Sequence, residues 1–381
     1  MEQSTRKSVK NQWLFNCFLS IRDPRVRARC TYPLINILVI SLCGIICGAN
    51  TWEGIADFGH KRFRWLDQFI DMRCGVPSPL TFARIFSLID PSEFQKCLAA
   101  WMSQFFQIVA NDIINIDGKS LRGSARQSQN QRASHVVNAY LAKEQVTLAE
   151  IRVPNKTNEI RAIPKLLKSL PIQSCIITID AMGTQKGIAN LIRIKQAHYV
   201  LALKKNHKRF YRYVDRIFNG ADALGYKNMV WRSNRSKQYG HGRIEERHYT
   251  ILPMMYFFKY KTCWRDSQAI VRVKSKRIIG GEEKTSTRYY ITSIPFSEYR
   301  RAVQAIRQHW SVENNLHWKL DVGLAEDACQ ATRGYADQNL ATLRKMVLKM
   351  LEDETSSKHG IAMKRVQAAL STRYLRKVVG F

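Results

Sequence analysis

Two carboxylates stand at the ends of apolar runs. Cys175-Ile176-Ile177-Thr178-Ile179 leads into Asp180, and Ile113-Ile114-Asn115-Ile116 leads into Asp117. Small or turn-forming residues follow each acid: Ala181-Met182-Gly183-Thr184 after Asp180, and Gly118 after Asp117. A β-prone run before an Asp and a Gly reads as a buried strand that ends at the acid and delivers it to a sheet edge. Two such acids side by side would repel, raising one pKa, unless a cation lies between them. Hard Mg²⁺ or Mn²⁺ suits oxygen ligands and keeps waters and phosphate oxygens in its shell. Two such ions, about 3.5–4 Å apart, can activate a water or a 3′-hydroxyl and stabilise a leaving oxygen.

Two Asp alone make a thin cradle, so a third acid should arrive from a later helix. The candidates are Glu313, Asp321, Glu326 and Asp327. Trp310, Glu313 and His317 share a helical face by their i, i+3, i+7 spacing. Apolar neighbours on that face imply that Glu313 points towards the core, where an unpaired Glu is unusual. The competing reading is a surface ion pair with Arg307 or Lys319. Glu326 and Asp327 follow Val322-Gly323, where a helix would be ending.

The elements that position these acids can be read from periodicity and punctuation. Residues 1–105 read as a helical N-terminal domain suited to DNA binding, with caps at Asp90-Pro91 and a break at Val76-Pro77-Ser78-Pro79. Residues 106–225 alternate as β-β-β-α-β-α-β-α, which is the ribonuclease-H-like order. There the first strand is central and lies beside the fourth, which would bring Asp117 next to Asp180. Residues 226–293 are rich in β-branched and aromatic residues, with turn signals at Gly240-His241-Gly242 and Gly280-Gly281, and read as a β-rich insertion. Residues 294–381 return to helix and end in a basic tail. The expected fold class is therefore α/β: a ribonuclease-H-like mixed sheet flanked by helices, interrupted by the insertion and preceded by the helical domain.

Lys+Arg number 61 against 30 Asp+Glu, a formal net charge of +31 in 381 residues. Such an excess favours a polyanion, most simply nucleic acid. The nine Cys are scattered without a Cys-x-x-Cys pair, which suits a reducing cytosol. Cys43 and Cys47 read as core packing. The start of the chain has no secretory pattern. Leu34 to Ala49 is the most apolar stretch, but it is shorter than the roughly 20 residues a membrane span needs, and Asn36 and Ser41 interrupt it. It reads as a buried helix, and no membrane partner is expected.

In order and spacing, a series of segments resembles the H-repeat-associated, ISAs-type insertion-sequence transposases, a branch of the DDE transposases. They include Asp23-Pro24-Arg25, Tyr32-Pro33-Leu34, Trp52 to Gly59, Gly75-Val76-Pro77-Ser78, Ile116-Asp117-Gly118-Lys119-Ser120-Leu121-Arg122-Gly123 and Lys156 to Ile160. Thr178 to Gly183, Tyr199 to Lys204, His241 to Glu245, His309-Trp310 to Asp321, Glu326-Asp327-Ala328 and Asn339-Leu340-Ala341 complete the series. The resemblance implies that Asp117, Asp180 and Glu313 are the catalytic and metal-binding triad. It further implies that Mg²⁺ or Mn²⁺ enters as two ions, and that strands are cut and joined at inverted-repeat ends. The implied partners are double-stranded DNA, as ends and as target, and a second copy of the chain in the DNA complex. The implied location is the bacterial cytoplasm, at the nucleoid. Two features depart from the pattern. Pro79-Leu80 follows Pro77-Ser78, where the family often has an acidic or polar residue. Ile306, His309 and Leu320 stand where related branches carry a Tyr, an Arg and a Lys around the third acid. The DNA-end contacts of those branches therefore do not transfer, and Arg307 and Lys319 could replace them only if the helix rotates. The expected DNA-binding set is Lys119, Arg122, Lys204, Lys205, Lys208, Arg209, Arg243, Arg307 and Lys319. For Lys119 and for the Lys204–Arg209 run, a plain solvated surface is the alternative. Two rival functions remain: a repurposed DNA-binding protein without catalysis, and a metal nuclease that cuts without joining.

Overall fold

The computed structural model describes residues 14–26, 28, 30–103, 107–121, 134–153, 159–240 and 243–381. Among the described residues nine strands form one mixed sheet: β1 Ile113–Leu121, β2 Ser134–Leu141, β3 Val146–Val153, β4 Ile176–Ile179, β5 His198–Leu203, β6 Arg232–Gly240, β7 Arg243–Pro253, β8 Ala269–Ile279 and β9 Glu282–Thr292. Their spatial order is β3-β2-β1-β4-β5-β9-β8-β7-β6. β1 lies antiparallel to β2 and parallel to β4, and β5 runs parallel to β4. All four residues of β4 are buried, as a parallel strand covered on both faces requires.

One strand expectation changes. β1 does not end at Asp117: Gly118 to Leu121 continue the ladder against Val137 to Ser134 of β2. Asp117 therefore sits in mid-strand, its backbone held from the β2 side. The strands of residues 226–293, read from the sequence as a β-rich insertion, extend the central sheet. β9 returns to pair with β5, Val200 facing Thr292 and Leu203 facing Tyr289, so the central sheet simply widens. The β8–β9 hairpin turns on Gly280 and Gly281, with φ of 56° and 86°, a conformation that costs glycine little.

The preceding helices are Leu34–Ile46, Trp52–Lys61, Pro79–Leu88 and Pro91–Met102, with a short one at Phe63–Leu66. Thr51, Ser78 and Asp90 cap three of them through side-chain oxygens, and Pro79 and Pro91 occupy the first turn. Leu34–Ile46 is buried almost all round. Among the described residues no helix is long and apolar enough to cross a membrane. These helices share one apolar core with the C-terminal helices Ala336–Asp353, Ile361–Leu370 and Thr372–Val379. Asn339 Nδ2 donates to the carbonyls of Phe86 and Ile89, both at 2.9 Å, and Arg365 donates to the Ile45 carbonyl from two nitrogens. A second core lies beneath the helix Tyr299–His309, where Ala302, Val303, Ala305 and Ile306 pack on Ile113, Ile176 and Val200.

Candidate active site

The parallel register pairs Ile116 with Ile179, so the next residues on the two strands, Asp117 and Asp180, stand level. Asp180 closes a turn after β4: its Oδ1 accepts from the Met182 and Gly183 amides at 3.0 and 3.2 Å. The Asp117 side chain is 25% exposed. Its pKa is pushed up to about 7, first by burial and then by the charge of Asp180, with smaller contributions from Glu159 and Glu313. Among the described residues no Lys or Arg pairs with Asp117. His317 Nδ1 lies 3.6 Å from Asp117 Oδ2, but burial pushes the imidazole down to about 3, so it is neutral. Its Nε2 is buried without a hydrogen-bond partner among the described residues.

Glu313 is exposed rather than packed into the core as expected. The helix changes winding: it is α from Tyr299 to His309, then π over Val312–His317 and Lys319–Gly323. In π turns the i→i+5 bond replaces i→i+4 and resets which residues share a face. Val312, Leu316 and Leu320 turn inward instead. Glu313 makes no ion pair among the described residues, neither with Arg307 nor with Lys319, and its charge reaches Asp117. Two of the three rival third acids are engaged elsewhere. Asp321 and Glu326 both bind the ammonium of Lys119.

Lys119 is therefore buried, neither a solvated residue nor one that reaches phosphate. Lys319 is bound to Glu352 at 2.6 Å and to Gln145 at 3.3 Å. Arg307 is half-buried against β7, near Arg247, Tyr249 and Glu245, and burial lowers its pKa. Arg243 opens β7, half-buried. Lys204, just past β5, is exposed, and its charge reaches His309, as does that of Asp180. Lys205, Lys208 and Arg209 continue outward from it, all exposed. Arg122 and His241 lie outside the described residues. The sheet edge thus gathers Asp117, Asp180, Glu313 and Lys204, and turns Lys119, Arg307 and Lys319 to other duties.

Several residues here escaped the sequence reading. On the opposite face of β1, Gly118 leaves room for a buried pair, His135 Nε2 with Glu159 Oε1; a Cβ at 118 would run into both. Ser120 Oγ meets the other ring nitrogen of His135 at 2.9 Å. On the acid face, Thr178 Oγ1 donates to Asn115 Oδ1 at 2.7 Å and lies 2.8 Å from His309 Nδ1. The hydroxyl proton is spent on Asn115, so neutral His309 carries its proton on Nδ1 and donates to Thr178. Asn115 Nδ2 donates to the Gln308 carbonyl at 2.8 Å. The one sequence signal for this row was a four-residue repeat of polar groups: His309, Glu313, His317 and Asp321.

Among the described residues, no three His, Cys, Asp or Glu side chains close tightly enough to enclose a metal ion. The donor chemistry nevertheless fits a hard divalent cation. Two level carboxylates offer oxygen ligands, burial and the neighbouring acids push the pKa of one of them up to about 7, and Glu313, without an ion pair among the described residues, stands within electrostatic reach.

A wide mixed sheet with paired acids on adjacent parallel strands, in a strongly basic chain, defines an α/β protein suited to handling a polyanion. The chain belongs to the Transposase DDE domain family, which matches residues 109–349, with the DDE_Tnp_1-associated family matching residues 15–102. It is 35% identical over 374 residues to "Putative transposase YncI" of Escherichia coli O157:H7, covering 97% of this chain and 94% of that one. It is 34% identical over 366 residues to "H repeat-associated putative transposase YhhI" of Escherichia coli K12, covering 94% and 95%. The resemblance read from the sequence motifs is upheld. Among solved structures, a piggyBac transposase synaptic complex with hairpin DNA overlays at a TM-score of 0.32 and 14% identity, covering 97% of this chain and 80% of that one. That likeness is too loose to bear on function.

Proposed function

We propose that this chain is a DDE transposase that cuts and joins DNA strands at the inverted-repeat ends of an insertion sequence. Asp117, Asp180 and Glu313 form its acid triad, on a ribonuclease-H-like core built from β1 to β5. The observation that carries the reading is the crowding of acids at Asp117, level with Asp180 on the adjacent parallel strand and within reach of the Glu313 charge, in a chain with formal net charge +31. Nothing in a fold needs such a cluster, whereas phosphodiester chemistry does. The strand order β3-β2-β1-β4-β5 supports the core assignment.

The three carboxylates would hold Mg²⁺ or Mn²⁺, two ions in all, which supply Lewis-acid stabilisation of charge at the scissile phosphate. Asp180 is fixed for this by its own turn amides, both of which donate to Oδ1. A bound cation would favour the ionised form of Asp117, whose pKa burial and the neighbouring acids raise to about 7. Lys204, Lys205, Lys208 and Arg209 track the DNA backbone beside the acids, and the helices of residues 1–105 add a second DNA contact. Two copies act across the two ends, in the cytoplasm, at the nucleoid.

The test incubates the protein with labelled inverted-repeat ends and Mg²⁺ or Mn²⁺, beside Asp180→Asn. Joined products that vanish in the variant support transposition. Cutting without joining favours a metal nuclease. Binding without cutting in both proteins overturns the enzymatic reading and leaves a repurposed DNA-binding protein.

A further inference from the structure

β1 presents Asn115, Asp117 and Lys119 on one face, at the two-residue period of a strand. Thr178 lies level with Asn115 on β4. Across this face runs the chain from His309 to Asp321, which offers a polar residue every fourth position. The two ends of that crossing are tied down. At one, His309 and the Gln308 carbonyl are bound by Thr178 and Asn115; Asn115 also reaches Ser311 Oγ at 3.3 Å. At the other, Asp321 is bound by Lys119, which Glu326 holds from a second side. Between the ties lie Glu313 and His317, opposite Asp117.

We infer that these two ties are positioning devices: Lys119 with Asp321 and Glu326, and Thr178 with Asn115 and His309, set Glu313 over the Asp117–Asp180 pair. The inference rests on the reading of Glu313 as the third acid. Glu313 is exposed and makes no ion pair among the described residues, so only its neighbours fix its place. The stretch that carries it is π-wound, a form seldom stable without outside support and frequent at functional sites. The wider π turns counter the drift that a four-residue repeat has in an α-helix of 3.6 residues per turn, so the row stays above β1. A buried Lys with two carboxylates is also a poor device for stability alone, because desolvation consumes much of the attraction; its better-attested use is to fix register. Arg365, buried, adds a brace from behind by donating to the Gly323 carbonyl at 2.7 Å, where the π stretch ends.

The test is Mn²⁺ affinity, measured with the metal alone on full-length protein by counting free Mn²⁺ in its electron paramagnetic resonance signal. Glu313→Gln, Asp321→Asn and the double variant form a cycle, with Thr178→Val as an isosteric second arm should Asp321→Asn fail to fold. Loss of an outer partner of a metal ligand typically costs 10–100-fold in affinity. Asp321→Asn should weaken Mn²⁺ about tenfold, and the double variant should be no weaker than Glu313→Gln, because Asp321 acts through Glu313. Thr178→Val should shift affinity in the same direction, and again not in the Glu313→Gln background. Losses that multiply in the double variant, or an unchanged affinity in both Asp321→Asn and Thr178→Val, overturn the inference. An unchanged affinity in Glu313→Gln and Asp180→Asn would instead overturn the metal-site reading, and the positioning role with it.

Discussion

Replacing the acid at the centre of the site should make the protein more stable while abolishing its activity. Asp117 has its pKa raised from 3.8 to about 7 by burial and by Asp180. Each tenfold change in proton affinity is worth about 1.4 kcal/mol. Because the folded value lies above the unfolded one, the native state holds the extra proton between about pH 4 and pH 7. Stability from this group is full below about pH 4, falls as pH rises, and is lost once pH passes 7. With partial exposure of the side chain allowed for, ionised Asp117 costs the fold about 2–4 kcal/mol at pH 8 in the absence of divalent cations. Asp117→Asn removes that cost. For 381 residues the unfolding entropy is about 0.8 kcal/mol per degree, so Tm should rise by about 3–5 °C at pH 8 in EDTA. The gain should shrink to about 1 °C or less near pH 4. Saturating Mg²⁺ should raise the wild-type Tm towards that of the variant, since a ligand at a hundred times its Kd adds about 2.7 kcal/mol. Calorimetric scans at the two pH values, with and without Mg²⁺, provide the assay. A variant no more stable than wild type at pH 8, or a gain equal at both pH values, refutes the reasoning.

Other substitutions probe the supports of the site and its outer face. Gly118→Ala should destabilise by about 1–3 kcal/mol in urea unfolding, because its methyl group meets Glu159 and His135, a buried pair with no room to give. Lys345→Met should cost about 3–5 kcal/mol, since it leaves Glu150 buried without its partner, and adding Glu150→Leu should recover most of the loss. Lys205→Gln, Lys208→Gln and Arg209→Gln should each lower the slope of log K against log salt for duplex binding by about 0.9 if the residue meets one phosphate. As exposed sites they should leave stability within about 0.5 kcal/mol, and unchanged salt slopes would remove this run from the DNA path.

The sequence was most legible where local pattern alone decides structure. An apolar run closed by Asp180 and a turn is a strand with an acid at its end, and β4 is that strand. The cap at Asp90, the break before the helix Pro79–Leu88 and the Gly280-Gly281 turn are likewise local and stand where the residues indicate. What was not legible depends on distant partners. Nothing near Lys119 reveals that Asp321 and Glu326, some 200 residues on, draw it inward. Nothing in residues 226–293 reveals that β9 closes on β5 rather than folding apart. The strand through Asp117 runs on because β2 continues the ladder, whereas Asp-Gly usually signals a break. The exposure of Glu313 was missed for a different reason: helical-wheel reasoning assumes 3.6 residues per turn, and the chain changes to π winding three residues after His309, so Val312, Leu316 and Leu320 fill the core while Glu313 stays open to solvent in the row above β1.

The account turns on whether Glu313 is the third acid. Its most direct test is strand cleavage of a labelled inverted-repeat end in Mg²⁺ by Glu313→Gln, with duplex binding measured on the same preparation. The account predicts cleavage reduced at least a thousandfold, on the scale of losing one group that stabilises the transition state at roughly 4 kcal/mol, while binding is retained. Cleavage within tenfold of wild type would contradict it and move the third ligand to another acid.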